Sequence, residues 1–265
     1  MSPQRKQERR QRPLTAVVTG GSSGIGLACV EELLRRSFSV VFCGRNGRRL
    51  EETGSRLREQ GFTESTFCAI QVDMGSETGP ALVVDRCVEL FGGIDALVNN
   101  AGIYERCALV DMTAEAWDET LHCNLRGAAL ASASAARHMI DQGQGGRIVH
   151  IASLNAVTPE PGYAHYGSSK AGLISLTQAM ARELGPHGIQ TNALSPGWIA
   201  TPMTLSFIRG FDSTAFARIN PLGRVGESHE LAAMVAFLCT DAPAFLNGQT
   251  INFDGGQSVM GPSGD

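Results

Sequence analysis

Short runs of apolar and β-branched residues alternate with longer segments of helical period along most of this chain. Strands are predicted for these runs, at residues 16–19, 39–43, 66–71, 96–99, 147–151, 190–194 and 250–253. Helices are predicted between them, at residues 24–36, 48–60, 79–91, 114–141, 163–184 and 228–239. Because nearly every apolar strand is followed by a helix, the alternation predicts βαβ units around a parallel sheet that is buried on both faces.

Size and charge limit the number of domains and the kinds of partner. With 265 residues, 43% of them hydrophobic, the chain can form one large α/β domain. Its formal net charge of −4 supplies no positive field that would recruit nucleic acid or an anionic membrane surface. No apolar run reaches the roughly 18 residues that a transmembrane helix needs.

The cysteines and the N-terminal segment bear on the cellular compartment. Seven cysteines are widely spaced and form no C-x-x-C pair, which is typical of reduced thiols and offers no metal-ligand cluster. Residues 1–13 are polar and basic, so a disordered tail is expected there. Arg9 and Arg10 resemble a twin-arginine export signal, but the apolar stretch of such a signal does not follow them. We therefore expect a cytoplasmic protein without a metal site.

The first predicted strand leads into the sequence TGGSSGIG, in which Gly20, Gly24 and Gly26 precede a helix. Glycines at such a junction permit a tight turn and a close approach of the backbone to a pyrophosphate, while the helix N-terminus supplies N–H groups. The spacing Gly-x-x-x-Gly-x-Gly differs from the commoner Gly-x-Gly-x-x-Gly. Taken alone, the loop is compatible with a nucleotide site or with an ordinary glycine-rich turn.

The end of the second strand indicates which nucleotide such a site would hold. NAD-binding proteins place a carboxylate there, about 20 residues after the glycines, to accept from the adenosine ribose. This chain has Gly44 and Arg45 instead, in the sequence VVFCGRN. A guanidinium can bind a 2′-phosphate with two parallel hydrogen bonds, whereas a carboxylate would repel it. The residues thus favour NADP(H) over NAD(H), with a solvated loop arginine as the alternative.

Three residues in HIASLNAVTPEPGYAHYGSSKAGL are candidates for chemistry: Ser153 after a strand, and Tyr166 and Lys170 on one helix face. A free tyrosine has a pKa of about 10, which a nearby ammonium could lower toward the range useful at neutral pH. Of the 22 basic residues only Lys6 and Lys170 are lysines, so the single lysine of the predicted domain calls for a chemical reason. A surface Tyr/Lys pair is the alternative.

Six motifs occur in order between about residues 14 and 260: TGGSSGIG, NNAG at 99–102, Asn124, Ser153, Tyr166 with Lys170, and PGWIAT at 196–201. Together they resemble the short-chain dehydrogenase/reductase family in its compact, non-extended form, and NGQTINFDGG at 247–256 resembles the family's closing segment. The resemblance implies a single α/β domain with a Rossmann-type, doubly wound parallel sheet of seven strands in the order 3-2-1-4-5-6-7. It also implies a homotetramer, for which the small residues at 128–136 would let another helix approach closely.

The resemblance further implies a catalytic set of Asn124, Ser153, Tyr166 and Lys170. Tyr166 would be the general acid for reduction and the base for oxidation, with Lys170 lowering its pKa and holding the nicotinamide ribose. Ser153 would donate a hydrogen bond to the substrate oxygen. Asn124, in a predicted helix where asparagine is unfavourable, would bind a water that links Lys170 to solvent; a merely polar helix face is the alternative.

Further residues are expected around the cofactor and the substrate. By resemblance, Asp73 would accept from the adenine amino group, and Ile199 and Thr201 would hold the nicotinamide carboxamide. An irregular apolar stretch at about 198–222 is a candidate substrate lid. The expected cofactor residues are Gly20, Ser22, Ser23, Gly24, Ile25, Gly26, Arg45, Asp73, Asn100, Ala101, Gly102, Tyr166, Lys170, Pro196, Gly197, Ile199 and Thr201. The residues expected to face the substrate are Tyr104, Leu154, Asn155, Tyr163, Trp198, Met203 and Phe207.

Three functions are compatible with these residues. The first is an NADP(H)-dependent carbonyl reductase, of the 3-oxoacyl or polyketide type, that transfers a hydride between nicotinamide and a ketone or secondary alcohol. The second is an alcohol, sugar or sugar-acid dehydrogenase of the same family, whose substrate Glu160 and His165 could serve. The third is a non-catalytic NADP(H)-sensing protein, against which the intact set of Asn, Ser, Tyr and Lys argues.

Overall fold

The structure, a computed structural model, describes residues 12–208 and 213–260. Residues 1–11 of the predicted tail, and residues 209–212 of the predicted lid, lie outside this part of the chain. Arg12 forms a 2.7 Å ion pair with Asp95, just before the fourth strand, so the folded domain includes at least this residue of the predicted tail.

The secondary structure alternates between strands and helices, as the sequence predicts. The strands are β1 (Thr15–Val18), β2 (Ser39–Gly44), β3 (Phe67–Gln71), β4 (Ala96–Asn99), β5 (Gly146–Ile151), β6 (Ile189–Pro196), β7 (Ile199–Ala200), β8 (Gly226–Glu227) and β9 (Thr250–Phe253). The helices are α1 (Gly24–Arg35), α2 (Gly47–Glu59), α3 (Gly79–Phe91), α4 (Ala114–Leu121), α5 (Gly127–Gln142), α6 (Ala164–Leu184), α7 (Leu205–Ile208), α8 (Ser213–Ala217) and α9 (Ser228–Cys239).

Seven strands form one parallel sheet in the order β3-β2-β1-β4-β5-β6-β9. The predicted α/β fold and strand order are confirmed, since β9 is the seventh strand of this sheet. Two further strands were not predicted: β7, inside the predicted lid, pairs with β8 just beyond it. A strand of two residues shows no alternation from which it could be predicted.

Helices cover both faces of the sheet, which explains why its strands lack polar alternation. Along β1, Ala16 and Val18 pack in one core with α1, α2 and α9, whereas Val17 packs in a second core with α3, α5 and α6. All three side chains are fully buried. The carboxyl ends of the strands bear the loops, and in doubly wound sheets that edge is where ligands bind.

The helix predicted at 114–141 is present, but a π-helical turn interrupts its α-helical geometry. That region contains α4, a π-helical turn at His122–Arg126, and α5. Within the turn, the buried amide of Asn124 accepts from the backbone N–H of Ile103 and donates to its carbonyl oxygen. Single π-helical turns inside α-helices are frequent at functional sites. Here the turn places Asn124 against the loop that follows β4.

The small residues at 128–136 pack within the chain itself. Ala131, Ser132 and Ala135 on α5 are fully buried in the core shared with α3. Ser134 on the same helix donates a 3.4 Å hydrogen bond to Asp85 on α3. These residues therefore face the chain's own core, whereas Leu130 on the same helix is 39% exposed. The contact of this helix with another protomer stays a prediction.

All seven cysteines are unpaired, and five of them are buried. Burial raises the pKa of the Cys239 thiol to about 12, so this thiol keeps its proton at neutral pH. No helix in the described residues combines the length and the hydropathy needed to cross a bilayer.

Candidate active site

A cleft of about 380 Å³ lies at the carboxyl edge of the sheet, lined by the loops that follow the first six strands. The strand order reverses between β1 and β4, and such a switch point is where doubly wound folds bind ligands. Every expected cofactor residue except Gly26 lines this cleft, and so does Ser153. The structure thus brings together residues that are far apart in the sequence.

The glycine loop requires its glycines for two different reasons. Gly20 has a φ of 67°, and a Cβ there would lie 2.9 Å from the Cα of Ala101. Gly26 does not line the cleft, but a Cβ at this position would collide with the carbonyl oxygen of Gly20. Ser23 occupies the N-cap of α1 without a capping side-chain hydrogen bond. The Ser23 side chain therefore does not cap the first backbone N–H groups of α1. A helix N-terminus that binds an anion needs such uncapped N–H groups.

The NNAG motif supports the loop from the neighbouring strand. Asn100 donates through its side chain to the carbonyl oxygens of Thr19 and Gly20, at 2.9 and 3.2 Å. The hydroxyl of Thr19 accepts from the backbone N–H groups of Asn100 and Ala101, both at 3.0 Å. These bonds fix the two loops against each other, which shapes this part of the cleft wall.

Two arginines line the end of the cleft where an adenosine phosphate is expected. Arg45 lies 3.5 Å from Glu119 on α4, and both side chains are more than half exposed, at 54% and 58%. Arg49, in the first turn of α2, also lines the cleft and was not singled out from the sequence. The sequence feature that could have identified Arg49 is its position four residues after Arg45, at the start of a helix capped by Asn46. Asp73 lines the same end and accepts from the backbone N–H of Gly75 at 2.8 Å.

Tyr166 and Lys170 lie together on α6, one turn apart. The Lys170 ammonium is 5.7 Å from the centre of the Tyr166 ring and donates a 2.7 Å hydrogen bond to the carbonyl oxygen of Ile151. Lys170 is only 3% exposed. Burial lowers its pKa to about 8, which leaves it mainly protonated at neutral pH.

The pKa of Tyr166 differs from the expectation that Lys170 lowers it. Burial raises the pKa of Tyr166 to about 12, Ser153 opposes that rise, and the negative charge of Glu160 adds to it. Because the ammonium is aimed at Ile151, desolvation is the largest effect on the tyrosine. The hydroxyl of Tyr166 therefore holds its proton at neutral pH.

Ser153 and Asn124 complete the expected catalytic set in different ways. Ser153 follows β5, lines the cleft, and its hydroxyl accepts from the backbone N–H of Asn155 at 3.2 Å. Asn124 does not line the cleft, since its amide bonds to Ile103 and donates to the Ser169 hydroxyl at 3.1 Å. Asn124 lies behind the residues that line the cleft, and its role in binding a water stays a prediction.

The residues expected at the nicotinamide end are held by a threonine that the sequence analysis did not single out. Thr204 lines the cleft and donates to the carbonyl oxygen of Ile199 at 2.5 Å. Its hydroxyl also accepts from the backbone N–H of Thr201 at 3.0 Å. The turn after β7 is thereby fixed beside Gly24, where a Cβ would come within 3.2 Å of the Thr201 side chain.

A second, smaller cavity of about 80 Å³ opens from the cleft and shares six wall residues with it, among them Ser153 and Tyr166. Of the residues expected to face the substrate, five line this cavity: Tyr104, Leu154, Asn155, Trp198 and Met203. Apart from the residues shared with the cleft, two residues that were not in that set also line it, Glu160 and Gln257. The cavity is thus the candidate substrate site, next to the candidate acid.

The two other expected substrate residues support this cavity without lining it. Tyr163 is 4% exposed, and its ring stacks on that of Tyr104 with centres 4.1 Å apart. Phe207 on α7 is 41% exposed and contacts the rings of Tyr104 and Trp198 edge-on or tilted, at 5.9 and 6.4 Å. His165, proposed beside Glu160, is buried and lines neither cavity.

A family model described as "Enoyl-(Acyl carrier protein) reductase" matches residues 20–258 of this chain. The match therefore spans the glycine loop, the C-terminal segment that contributes Gln257, and the residues Ser153, Tyr166 and Lys170.

Relatives of this chain include enzymes with different substrates. It is 36% identical over 245 residues to gluconate 5-dehydrogenase of Gluconobacter oxydans, covering 92% of this chain and 94% of that protein. It is 34% identical over 241 residues to a 3-oxoacyl-(acyl-carrier-protein) reductase of Aquifex aeolicus, covering 91% and 96%. Among solved structures, acetoin dehydrogenase from Salmonella typhimurium matches with a TM-score of 0.85 at 34% identity, covering 96% of this chain and 99% of that one. The chain accordingly belongs to the short-chain dehydrogenase/reductase family and is one of its oxidoreductases.

Proposed function

We propose that this protein is an NADP(H)-dependent carbonyl reductase, which transfers a hydride between nicotinamide and a ketone or secondary alcohol. The observation that carries the proposal is that Ser153, Tyr166 and Lys170 line the same cleft as the glycine loop. A protein that only senses NADP(H) would need the loop but would have no use for an acid in that cleft. Membership of an oxidoreductase family supports the catalytic reading.

The described residues of the cleft fit a dinucleotide. The space beside Gly20, which a Cβ would fill, and the α1 N-terminus without a side-chain cap at Ser23 suit a pyrophosphate. At the other end Lys170 would hold the nicotinamide ribose, and Ile199 and Thr201 the carboxamide. When bound, the cofactor supplies the hydride for reduction or accepts it in oxidation.

Ser153 and Tyr166 would act on the substrate oxygen. The Ser153 hydroxyl would donate a hydrogen bond where negative charge develops on that oxygen, and Tyr166 would give its phenolic proton to it. The raised pKa of Tyr166 supports reduction, because a proton donor must be protonated at the working pH. Oxidation would need the tyrosinate, which burial disfavours.

The preference for NADP(H) rests on the charges after β2. Arg45 and Arg49 line the adenosine end of the cleft, and Gly44 stands where an NAD-selective carboxylate would. The ion pair between Arg45 and Glu119 is exposed, so a phosphate can displace it at little cost.

Arg45→Ala is expected to weaken NADPH binding while leaving NADH binding nearly unchanged. Losing a charge-assisted contact to the 2′-phosphate should raise the Kd for NADPH by roughly 10- to 150-fold. Fluorescence titration of both cofactors measures this difference. Arg48→Ala is the matched control, because Arg48 is an exposed arginine of the same segment that does not line the cleft.

A second variant tests the same preference from the opposite direction. Gly44→Asp should shift the preference toward NADH, with a rotation of Ser22, whose Oγ would lie 2.9 Å from the new Cβ. Equal affinity of the wild-type protein for NADPH and NADH would contradict the proposed cofactor choice.

The direction and type of substrate are tested by initial rates. The proposal, which includes reductases of the 3-oxoacyl or polyketide type, predicts that ketone reduction with NADPH is faster than oxidation of any alcohol with NADP⁺ near neutral pH. A sugar or sugar-acid dehydrogenase, favoured by the similarity to gluconate 5-dehydrogenase, would instead oxidise polyols or sugar acids faster. Both outcomes are read from one panel of carbonyl compounds and polyols.

We also expect a homotetramer in the cytoplasm. Large apolar side chains are exposed on the loop before α4 and near the edge strand β9, where Val110 is 93% and Phe245 101% exposed. These side chains are available for contacts between protomers. Light scattering at micromolar concentration should give four times the chain mass of 28.1 kDa. A monomer would contradict the expected assembly.

A further inference from the structure

The small cavity beside Tyr166 has an unusual balance of charge. Its walls include the apolar surfaces of Leu154, Trp198 and Met203. Among its lining residues, Glu160 is the only one with a formally charged side chain, and it is negative. Lys170 lines the adjoining cleft instead, where its ammonium is bonded to the carbonyl oxygen of Ile151. The substrate cavity itself therefore holds no countercharge for an anion.

Glu160 is held in place by its neighbours. Its backbone N–H donates to Asn155 Oδ1 at 2.9 Å, and its Oε2 accepts from the Tyr104 hydroxyl at 2.7 Å. The ring of Tyr104 is in turn stacked on that of Tyr163. No hydrogen bond or ion pair involves the other carboxylate oxygen, Oε1, within the described part of the chain. That oxygen is available to accept from a ligand.

Gln257 supplies a second acceptor to the same cavity. Its Oε1 is buried and has no hydrogen-bond partner among the described residues. A buried amide oxygen without a partner costs free energy, which a hydrogen bond from a ligand would recover. Gly197 beside it leaves the space that this side chain occupies, since a Cβ there would lie 2.8 Å from Oε1.

The cavity lies next to the candidate acid Tyr166, and this position determines which part of a bound substrate would contact its walls. Ser153 and Tyr166 line both the cleft and the cavity. A carbonyl oxygen placed between them leaves the rest of the substrate in the cavity, facing Glu160 and Gln257. There a substrate carboxylate would be repelled in a partly desolvated site, whereas a hydroxyl could donate to either acceptor.

On the basis of the proposed function, we infer that the substrate is an uncharged ketone with a hydroxyl group near the carbonyl, and that Glu160 is the residue that selects it over acidic ketones. The apolar walls accept a short carbon chain, and the two acceptors bind the hydroxyl. The step itself is ordinary ketone reduction: NADPH is oxidised to NADP⁺, and the ketone gains the hydride on carbon and the Tyr166 proton on oxygen.

Three ketones of the same carbon number separate these contributions. Butan-2-one, 3-hydroxybutan-2-one and 3-oxobutanoate share a methyl ketone and differ in carrying no polar group, a hydroxyl or a carboxylate. For the wild-type enzyme with NADPH, kcat/KM for the hydroxyketone should exceed that for 3-oxobutanoate at least about tenfold, with butan-2-one between them. The ratio within one enzyme preparation is insensitive to partial misfolding.

Glu160→Gln tests the selecting residue, because glutamine keeps an oxygen for the Tyr104 hydroxyl and removes only the charge. This variant should reduce the preference for the hydroxyketone over 3-oxobutanoate at least about fivefold, mainly by raising kcat/KM for the anion. Glu105→Gln is the matched control, since it removes one negative charge from an exposed position that lines neither cavity. It should leave the ratio unchanged.

The outcomes distinguish this inference from the proposed function. A wild-type preference for 3-oxobutanoate, or a ratio that Glu160→Gln and Glu105→Gln change equally, would overturn the inference and leave ketone reduction intact. Failure to reduce any carbonyl compound with NADPH, in spite of NADPH binding, would overturn the proposed function and the inference with it. A large hydroxyketone preference that only Glu160→Gln relaxes supports both.

Discussion

Tyr166→Phe is expected to lower kcat for ketone reduction by about 10²- to 10⁴-fold while leaving the Kd for NADPH nearly unchanged. Phenylalanine keeps the ring, which packs edge-on against Tyr104 with centres 4.7 Å apart, and removes only the hydroxyl. Neither of the other two tyrosines is placed to replace it as a phenolic acid, because Tyr104 already donates to Glu160 and Tyr163 lines neither cavity. Steady-state rates and a fluorescence titration with NADPH measure the two quantities.

The chain supplies its own control for this variant. Tyr163→Phe makes the same change three residues away, in the same helix-start segment, at a residue that supports Tyr104 by stacking. It should cost less than about tenfold in kcat, the scale of one ordinary hydrogen bond. If Tyr166→Phe keeps more than about a tenth of the wild-type kcat, a general acid at this position is excluded. The non-catalytic NADP(H)-sensing protein would then become the leading hypothesis.

Lys170→Ala should lower kcat/KM by at least about 10²-fold and, unlike Tyr166→Phe, should also raise the KM for NADPH. The ammonium is proposed to serve both the nicotinamide ribose and the charge balance beside Tyr166. Lys170→Arg is the sharper variant, because it keeps the charge. The lysine is 3% exposed and its Nζ lies 2.7 Å from the Ile151 carbonyl oxygen, so a larger planar guanidinium does not fit without displacing its neighbours.

We therefore expect Lys170→Arg to be no better than Lys170→Met, whose unbranched side chain fills the same stem space without charge. Both variants should have a Tm close to that of the wild-type protein, although their activity should be much lower. A Lys170→Arg enzyme with more than about a tenth of wild-type kcat/KM would show that charge alone is required and that the geometry at Ile151 is not.

The sheet could be predicted from the sequence because its strands are apolar runs between helices, and its order follows from the family resemblance. The π-helical turn at His122–Arg126 could not, since its cause is a tertiary contact. Asn124 bonds to the backbone of Ile103, 21 residues earlier in the chain, and helical periodicity carries no sign of that contact. For a similar reason Arg12, assigned to the tail by its polar surroundings, is held by Asp95.

The cofactor cleft was predicted more completely than the substrate cavity. The cleft is built from short motifs at strand ends, whose positions the sheet determines. The cavity is built from loops that meet only in three dimensions: Gln257 comes from the C-terminal segment and lies against Gly197 after β6. Tyr163 was expected to face the substrate, whereas its ring is buried under Tyr104.

The role of Lys170 also changes between sequence and structure. Spacing of four residues predicted that its ammonium lowers the pKa of Tyr166. Instead the ammonium is bonded to Ile151, and burial raises the tyrosine pKa to about 12. This arrangement suits a proton donor, which is why reduction is the proposed direction.

Transfer of deuterium from labelled NADPH tests the central claim most directly. The wild-type protein would be incubated with 3-hydroxybutan-2-one and NADPH that carries deuterium at its hydride-donating carbon, and the alcohol product analysed by mass spectrometry. We predict a diol with one deuterium on the carbon that was the carbonyl, formed faster with NADPH than with NADH and almost absent with Tyr166→Phe. Tight NADPH binding with no labelled alcohol from this ketone or from any other carbonyl compound of the panel would contradict the account.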